Sequence, residues 1–135
     1  MKNSLFPDSM LGVLSLDVIK AKLNYFELQL HEYHWQTTSL GEHLALGDAY
    51  DLVFNLKDEI VEKIMGYTGV RTKAMSVDTI KSYSPGLPDI LVLDIMTFAK
   101  QLQNFGSSNN MPDIENIAQS LSGDMAKIRY RLTLK

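Results

Sequence analysis

Four segments whose apolar residues recur at intervals of three and four predict an all-α protein, and the unequal joints between them predict its arrangement. The joints are a tight turn, a connection of about 22 residues punctuated by Gly69, Pro85, Gly86 and Pro88, and a second tight turn. A short joint forces neighbouring helices antiparallel, whereas a long one lets the chain travel back along a helix before the next begins. The expected fold is therefore a four-helix bundle with one long crossover between the second and third helices.

The first helix is expected over about 10–36, capped by Ser9 or Asp8, with Val13, Leu16, Ile19, Leu23, Phe26, Leu30 and Tyr33 forming its inner stripe. The polar run Gln36-Thr37-Thr38-Ser39 ends it, and Ser39 with Glu42 forms the Ser-x-x-Glu capping box that opens the second helix, about 40–66. Leu46, Tyr50, Val53, Phe54, Ile60, Val61 and Ile64 are expected on the inner side, with Gly66 or Gly69 as terminator. The connection over 67–88 is long enough to run back along a helix of about 40 Å, and a short helix is expected around 77–83. The third helix is expected over about 89–105, with Ile90, Leu91, Ile95, Phe98, Leu102 and Phe105 facing inward. A loop of turn formers over 106–110 follows. Pro112 in a first turn beside Asp113 and Glu115 starts the fourth helix, with Ile114, Ile117, Leu121, Met125, Ile128 and Leu132 as its stripe. This order, with its single crossover, is the topology of ferritin-like folds.

At 135 residues and 45% hydrophobic composition the chain suits one domain over 1–135. With no cysteine, disulfides and thiolate zinc are excluded, and any metal must be held by histidine and carboxylate, donors that suit iron, manganese or zinc. A formal charge of -3 gives no general attraction to nucleic acid or to an anionic membrane, and no apolar run reaches the roughly 18 residues of a membrane span. The first residues, broken by Pro7 and Asp8, make a poor secretory signal, so a cytoplasmic location is expected.

The chemistry-bearing residues concentrate between Leu30 and Gly66, which hold all three histidines and the single tryptophan. No Glu-x-x-His motif exists, so a di-iron site at the bundle centre is not expected. His34 falls at the end of the first helix and His43 at the start of the second, while Asp58 and Glu62 lie one turn apart further along. His43 and Asp58 are about 22 Å apart at 1.5 Å per residue and cannot share an ion within one chain. A twofold partner packed antiparallel on these two helices would bring the histidine end of one chain beside the carboxylates of the other.

His34-Trp35, His43 and Asp58-Glu59-Ile60-Val61-Glu62-Lys63 resemble the Dps group of mini-ferritins, whose ferroxidase site lies between two subunits. The likeness covers residues 25–66, and the helix plan covers the rest. Similar His-Trp-Gln-Thr segments and Tyr-x-Leu-x-Leu-Lys tails, here His34-Trp35-Gln36-Thr37 and Tyr130 to Lys135, occur in small phage-encoded Dps-like proteins. The resemblance implies a homo-oligomer with twofold interfaces, from a dimer to a dodecamer, that oxidises and stores iron, with His34, His43, Asp58 and Glu62 as metal ligands. Three departures stand against that. The aspartate one turn after the second histidine is Gly47, leaving Asp51, seven residues before Asp58 and on nearly the same stripe, as the replacement ligand rather than Asp48. The spacing from His34 to His43 is three residues short, so an ungapped alignment puts His31 in the first position. A lysine-rich N-terminal tail is missing, so DNA binding by that route is not supported. The alternative reading is a non-enzymatic oligomer of the same fold with an incomplete metal site.

Overall fold

The structure, a computed structural model, describes residues 14–134 and consists there of four α-helices: α1 (Leu16–Gln36), α2 (Leu40–Thr68), α3 (Leu87–Ser108) and α4 (Pro112–Leu132). α1 packs on α2, α3 on α4, and α2 also lies beside α4, whereas α1 and α3 touch only thinly. Residues 69–86 form the crossover. It leaves the end of α2 beside the start of α1, where Asp17 bonds Thr72 and Lys73, and arrives at the other end of α1, where Gln36 bonds Tyr83. As a result α3 runs antiparallel to α1 and α4 antiparallel to α2, so every neighbouring pair of helix dipoles is opposed. The one-crossover bundle expected from the joints is the fold observed.

The local details refine several expectations. Residues 14 and 15 are not helical, and Ser15 rather than an earlier residue caps α1, its hydroxyl accepting from Val18 N–H at 3.3 Å. The proposed caps Asp8 and Ser9, and Val13, lie outside the described residues. α2 passes through Gly66 and stops at Gly69, which takes the left-handed conformation at φ 72°. No helix forms over 77–83; Val77, Ile80 and Tyr83 instead lie against the core as irregular chain. α3 starts two residues early and runs through Gly106, Ser107 and Ser108, so the joint to α4 is only Asn109-Asn110-Met111. Gly106 lies within the helix, and a Cβ there would stand 2.7 Å from Glu115 N and 3.0 Å from the Met111 carbonyl oxygen. The close crossing of α3 and α4 requires its absence.

The core is the expected stripe of each helix, including Ile19, Leu23, Phe26, Leu30, Leu46, Val53, Ile60, Ile64, Ile95, Phe98, Leu102, Ile114, Leu121 and Met125. Two residues expected inside are outside: Phe54 is 51% exposed and Ile90 55%. Each lies one residue from a buried neighbour, Val53 and Leu91, and the 100° step of the helix turns it off the core face. No helix of the described residues is long and apolar enough to cross a membrane.

The crossover replaces the missing α1–α3 packing. Gln29, fully buried in the apolar stripe of α1, treats Lys81 as a neighbouring strand would: its Nε2 donates to the Lys81 carbonyl at 2.8 Å and its Oε1 accepts the Lys81 N–H at 2.7 Å. This satisfies a backbone pair that would otherwise be desolvated without a partner. Asp17 does the same at the other end, accepting from Thr72 Oγ1 at 2.7 Å and Lys73 N–H at 2.8 Å, and these bonds, the Lys73 one foremost, hold its carboxyl below the usual range. Between them Lys22 donates to Gln101 Oε1 at 3.2 Å in a seam shared with Asp94; burial pushes the Lys22 ammonium down and the Asp94 carboxyl up.

Candidate functional site

The turn between α1 and α2 contains only Thr37, Thr38 and Ser39, and it brings His34 and His43 face to face. Their rings stack at 3.9 Å between centroids with 17° between planes. His34 Nδ1 lies 2.7 Å from the His43 carbonyl oxygen and His43 Nδ1 lies 2.9 Å from the His34 carbonyl oxygen. A carbonyl only accepts, so both rings carry their proton on Nδ1, and in the neutral form each leaves Nε2 with a free lone pair. The His34 carbonyl belongs to the last turn of α1, where helix geometry supplies no donor, so His43 caps that helix from the next one.

Gly47 explains how His34 fits. A Cβ on residue 47 would stand 2.9 Å from His34 Cε1 and 3.1 Å from His34 Nδ1. The imidazole of His34 thus fills the space beside residue 47, where the resemblance expects an aspartate, and a side chain at 47 requires that ring to shift. His31 stands beside the pair, its ring 5.9 Å from that of His34, and it stacks more closely on Trp35 at 3.8 Å and on Tyr50 at 3.9 Å. Two rings cannot share one face of an imidazole at that distance, so His31 is held between them. Tyr50 continues onto Phe54 at 6.0 Å. An outer face of α1 and α2 results in which Leu28, Trp35, Leu44 and Phe54 are exposed large apolar residues, Trp35 by 62%. Trp35 therefore stands outside the core of the single chain.

The carboxylates stand elsewhere. α2 is unbroken from Leu40 to Thr68, which keeps Asp58 about 22 Å from His43, and Asp51, Asp58 and Glu62 are all exposed. Lys57 and Lys63 do not engage them: Lys57 pairs with Glu27 of α1, and Lys63 with Glu59 at 3.3 Å and Asp113 at 4.0 Å. Asp48 is removed from consideration by Arg131, which it meets at 2.7 Å. Among the described residues no group of three or more histidine or carboxylate side chains is placed to hold a metal ion. The described residues of one chain carry a pair of oriented imidazoles and, separately, exposed carboxylates.

Glu42 departs from the expected capping box. Ser39 Oγ does accept from Glu42 N–H at 3.2 Å, but the Ser39 N–H goes to Thr37 Oγ1 at 3.1 Å. The Glu42 carboxylate instead takes the hydroxyls of Thr37 and Tyr83, both at 2.7 Å on the same oxygen. Neither Tyr83 nor the buried Gln29 carried a motif. The available signal was polar Lys22 and Gln29 on the stripe of Phe26 and Leu30, which marks a helix face that something polar must cover.

Residues 34–132 match the family of unknown function DUF5856. The chain belongs to that family. The matched span opens on His34 and contains His43, Gly47, Asp51, Asp58 and Glu62, while His31 lies three residues before it. Neither a curated protein nor a solved structure matches the chain.

Proposed function

We propose that the chain is a Dps-like homo-oligomer that takes up Fe(II) as its substrate at sites shared between two subunits, oxidises it by passing one electron per iron to dioxygen or a peroxide supplied from solution, and stores the Fe(III) product. The observation that carries this reading is the Nδ1–carbonyl anchoring of both histidines. A metal-ligating imidazole almost always gives its other ring N–H to a carbonyl, carboxylate or water, which fixes the ring and directs Nε2 to the metal. His34 and His43 are both prepared in that way. Asp58 and Glu62, with Asp51 seven residues earlier on nearly the same stripe, supply the hard oxygen donors that favour iron over softer-ligand metals, manganese and zinc remaining compatible with the same set. The apolar outer face of α1 and α2 is suited to a twofold partner, and an antiparallel copy would lay the carboxylate end of one chain over the histidine end of the other.

Native mass measurement with an Fe(II) oxidation assay tests it. The expected result is a dimer or larger closed assembly that consumes Fe(II) faster than buffer, with His43→Ala and Glu62→Ala each reducing the rate by about tenfold or more. Self-association should also bury Trp35, the only tryptophan, and shift its emission to the blue. A monomer whose Fe(II) consumption equals that of buffer would sink the proposal.

A second reading is favoured by the reciprocal histidine bonds and the Gly47 contact: a non-enzymatic helical oligomer in which His34 and His43 serve only as a clasp between α1 and α2. It gives the same assembly and the same Trp35 shift, with iron consumption at the buffer rate in every variant.

A further inference from the structure

Tyr83, near the end of the crossover, bonds both helices of the α1–α2 hairpin at once. Its N–H donates to Oε1 of Gln36, the last residue of α1, and its hydroxyl donates at 2.7 Å to Oε1 of Glu42, in the first turn of α2. Thr37 joins the same Glu42 oxygen from within the turn. The Tyr83 ring meets Tyr33 of α1 edge-on at 6.1 Å. The same helix junction is closed a second time by the reciprocal bonds of His34 and His43. Two clasps therefore share a joint of three residues, Thr37-Thr38-Ser39, too short to absorb a displacement of one helix end without passing it to the other clasp.

The rest of the crossover is attached in a way that allows it to lift. It has no internal helix, it is held to α1 by side-chain-to-backbone bonds from Asp17, Gln29 and Gln36, its apolar contacts with the core are those of the only partly buried Val77, Ile80 and Tyr83, and it covers a seam where α1 and α3 hardly pack on each other. Segments with few buried contacts open locally at a free energy below that of global unfolding.

We infer that residues 69–86 act as a strap whose docked end sets the geometry of the histidine pair. With Tyr83 seated on Gln36 and Glu42 the turn is tight and the imidazoles stack; with Tyr83 released the turn loosens and the rings part. If the iron reading above holds, the strap is the regulator of that site, and on this point alone the inference rests on it.

The test uses the full chain without metal. Tyr83→Phe removes the Glu42 bond and keeps the ring, and it is compared with wild type by histidine ring proton NMR and amide hydrogen exchange. The expected result is that the His34 and His43 resonances both move, while amides of 81–86 exchange at least about tenfold faster. Gln36→Ala, at an exposed position, should give the same changes to a smaller degree and decides the matter if Tyr83→Phe does not fold. Faster exchange in the strap with both histidine resonances at their wild-type positions would overturn the coupling, and so would unchanged exchange. Since no iron is present, failure of the ferroxidase proposal leaves this outcome readable, and the reverse also holds.

Discussion

The two hairpins of the bundle are built to different ends. α3 and α4 are joined by three residues, cross closely over Gly106, and spend their inner stripes entirely on each other and the core. α1 and α2 are also joined by three residues, yet they turn a histidine and aromatic face outward and depend on the crossover for cover along the α3 side. Each hairpin has one glycine where a Cβ would meet an atom at less than 3.0 Å, and the contrast between them is informative. Gly106 makes room for backbone, whereas Gly47 makes room for the ring of His34. The first glycine serves the fold, and the second serves the placement of a side chain with chemistry.

The largest way to break this contrast is at Gly106. Alanine there puts a methyl group 2.7 Å from Glu115 N and 3.2 Å from its Cα, atoms that cannot rotate aside. The helices must separate, and overpacking of this kind costs about 1–3 kcal/mol, partly offset by the better helix propensity of alanine. Urea unfolding of Gly106→Ala should show a lower midpoint with an unchanged slope, and a midpoint at or above wild type would mean that the crossing is not as close as described.

A smaller, graded effect separates the hairpins by pH. Tyr25 and Tyr33 are buried on α1, and burial, the first cause for each, raises both hydroxyls above their ordinary value of 10.0. Tyr83 is raised as well, first by its bond to Glu42. For an acid raised in the folded state the sign is unfavourable at high pH: below 10.0 neither state is ionised and nothing is lost, while above it the unfolded chain ionises first and stability falls. Roughly 1–2 kcal/mol should be lost one pH unit above that value, after allowance for solvent screening. All three residues lie on α1 or the crossover, so hydrogen exchange should rise there before it rises in α3 and α4. Simultaneous loss across both hairpins would show that they do not open separately.

These tests bear on how much was legible in the sequence. Period and joint length were enough for the four helices, their antiparallel pairing and the crossover, because both follow from local geometry. Phe54 and Ile90 were misplaced because an apolar residue on a helix has the same signature whether it faces its own core or an outer surface. The expected helix over 77–83 failed for a related reason: Val77, Ile80 and Tyr83 do have helical spacing, but Gln29 and Gln36 offer the backbone better partners than a lone short helix would. For the site, the pairing of His34 with His43 was foreseeable from a short turn, while the reciprocal carbonyl bonds depend on ring orientations that no spacing encodes. Gly47 was the hardest to read. In sequence it was a ligand lost; in space it is clearance for His34.

That position gives the sharpest comparison and the smallest change in stability. Gly47→Ala places Cβ 2.9 Å from His34 Cε1, so the ring must shift, at the expense of its 2.7 Å bond to the His43 carbonyl. The lost bond costs about 1 kcal/mol, and replacing glycine by alanine inside a helix returns about the same. The unfolding midpoint should stay near wild type while the His34 ring resonance moves far, the reverse of what is expected at Gly106. Gly47→Asp extends the argument to the proposed chemistry. The carboxylate would restore the residue that the mini-ferritin pattern has here, yet it would expel the imidazole from its anchored position, so the variant should lose the His34–His43 stack. If Gly47→Asp instead keeps the His34 resonance in place and oxidises Fe(II) faster than wild type, residue 47 and His34 are compatible after all, and the glycine is a lost ligand and nothing more.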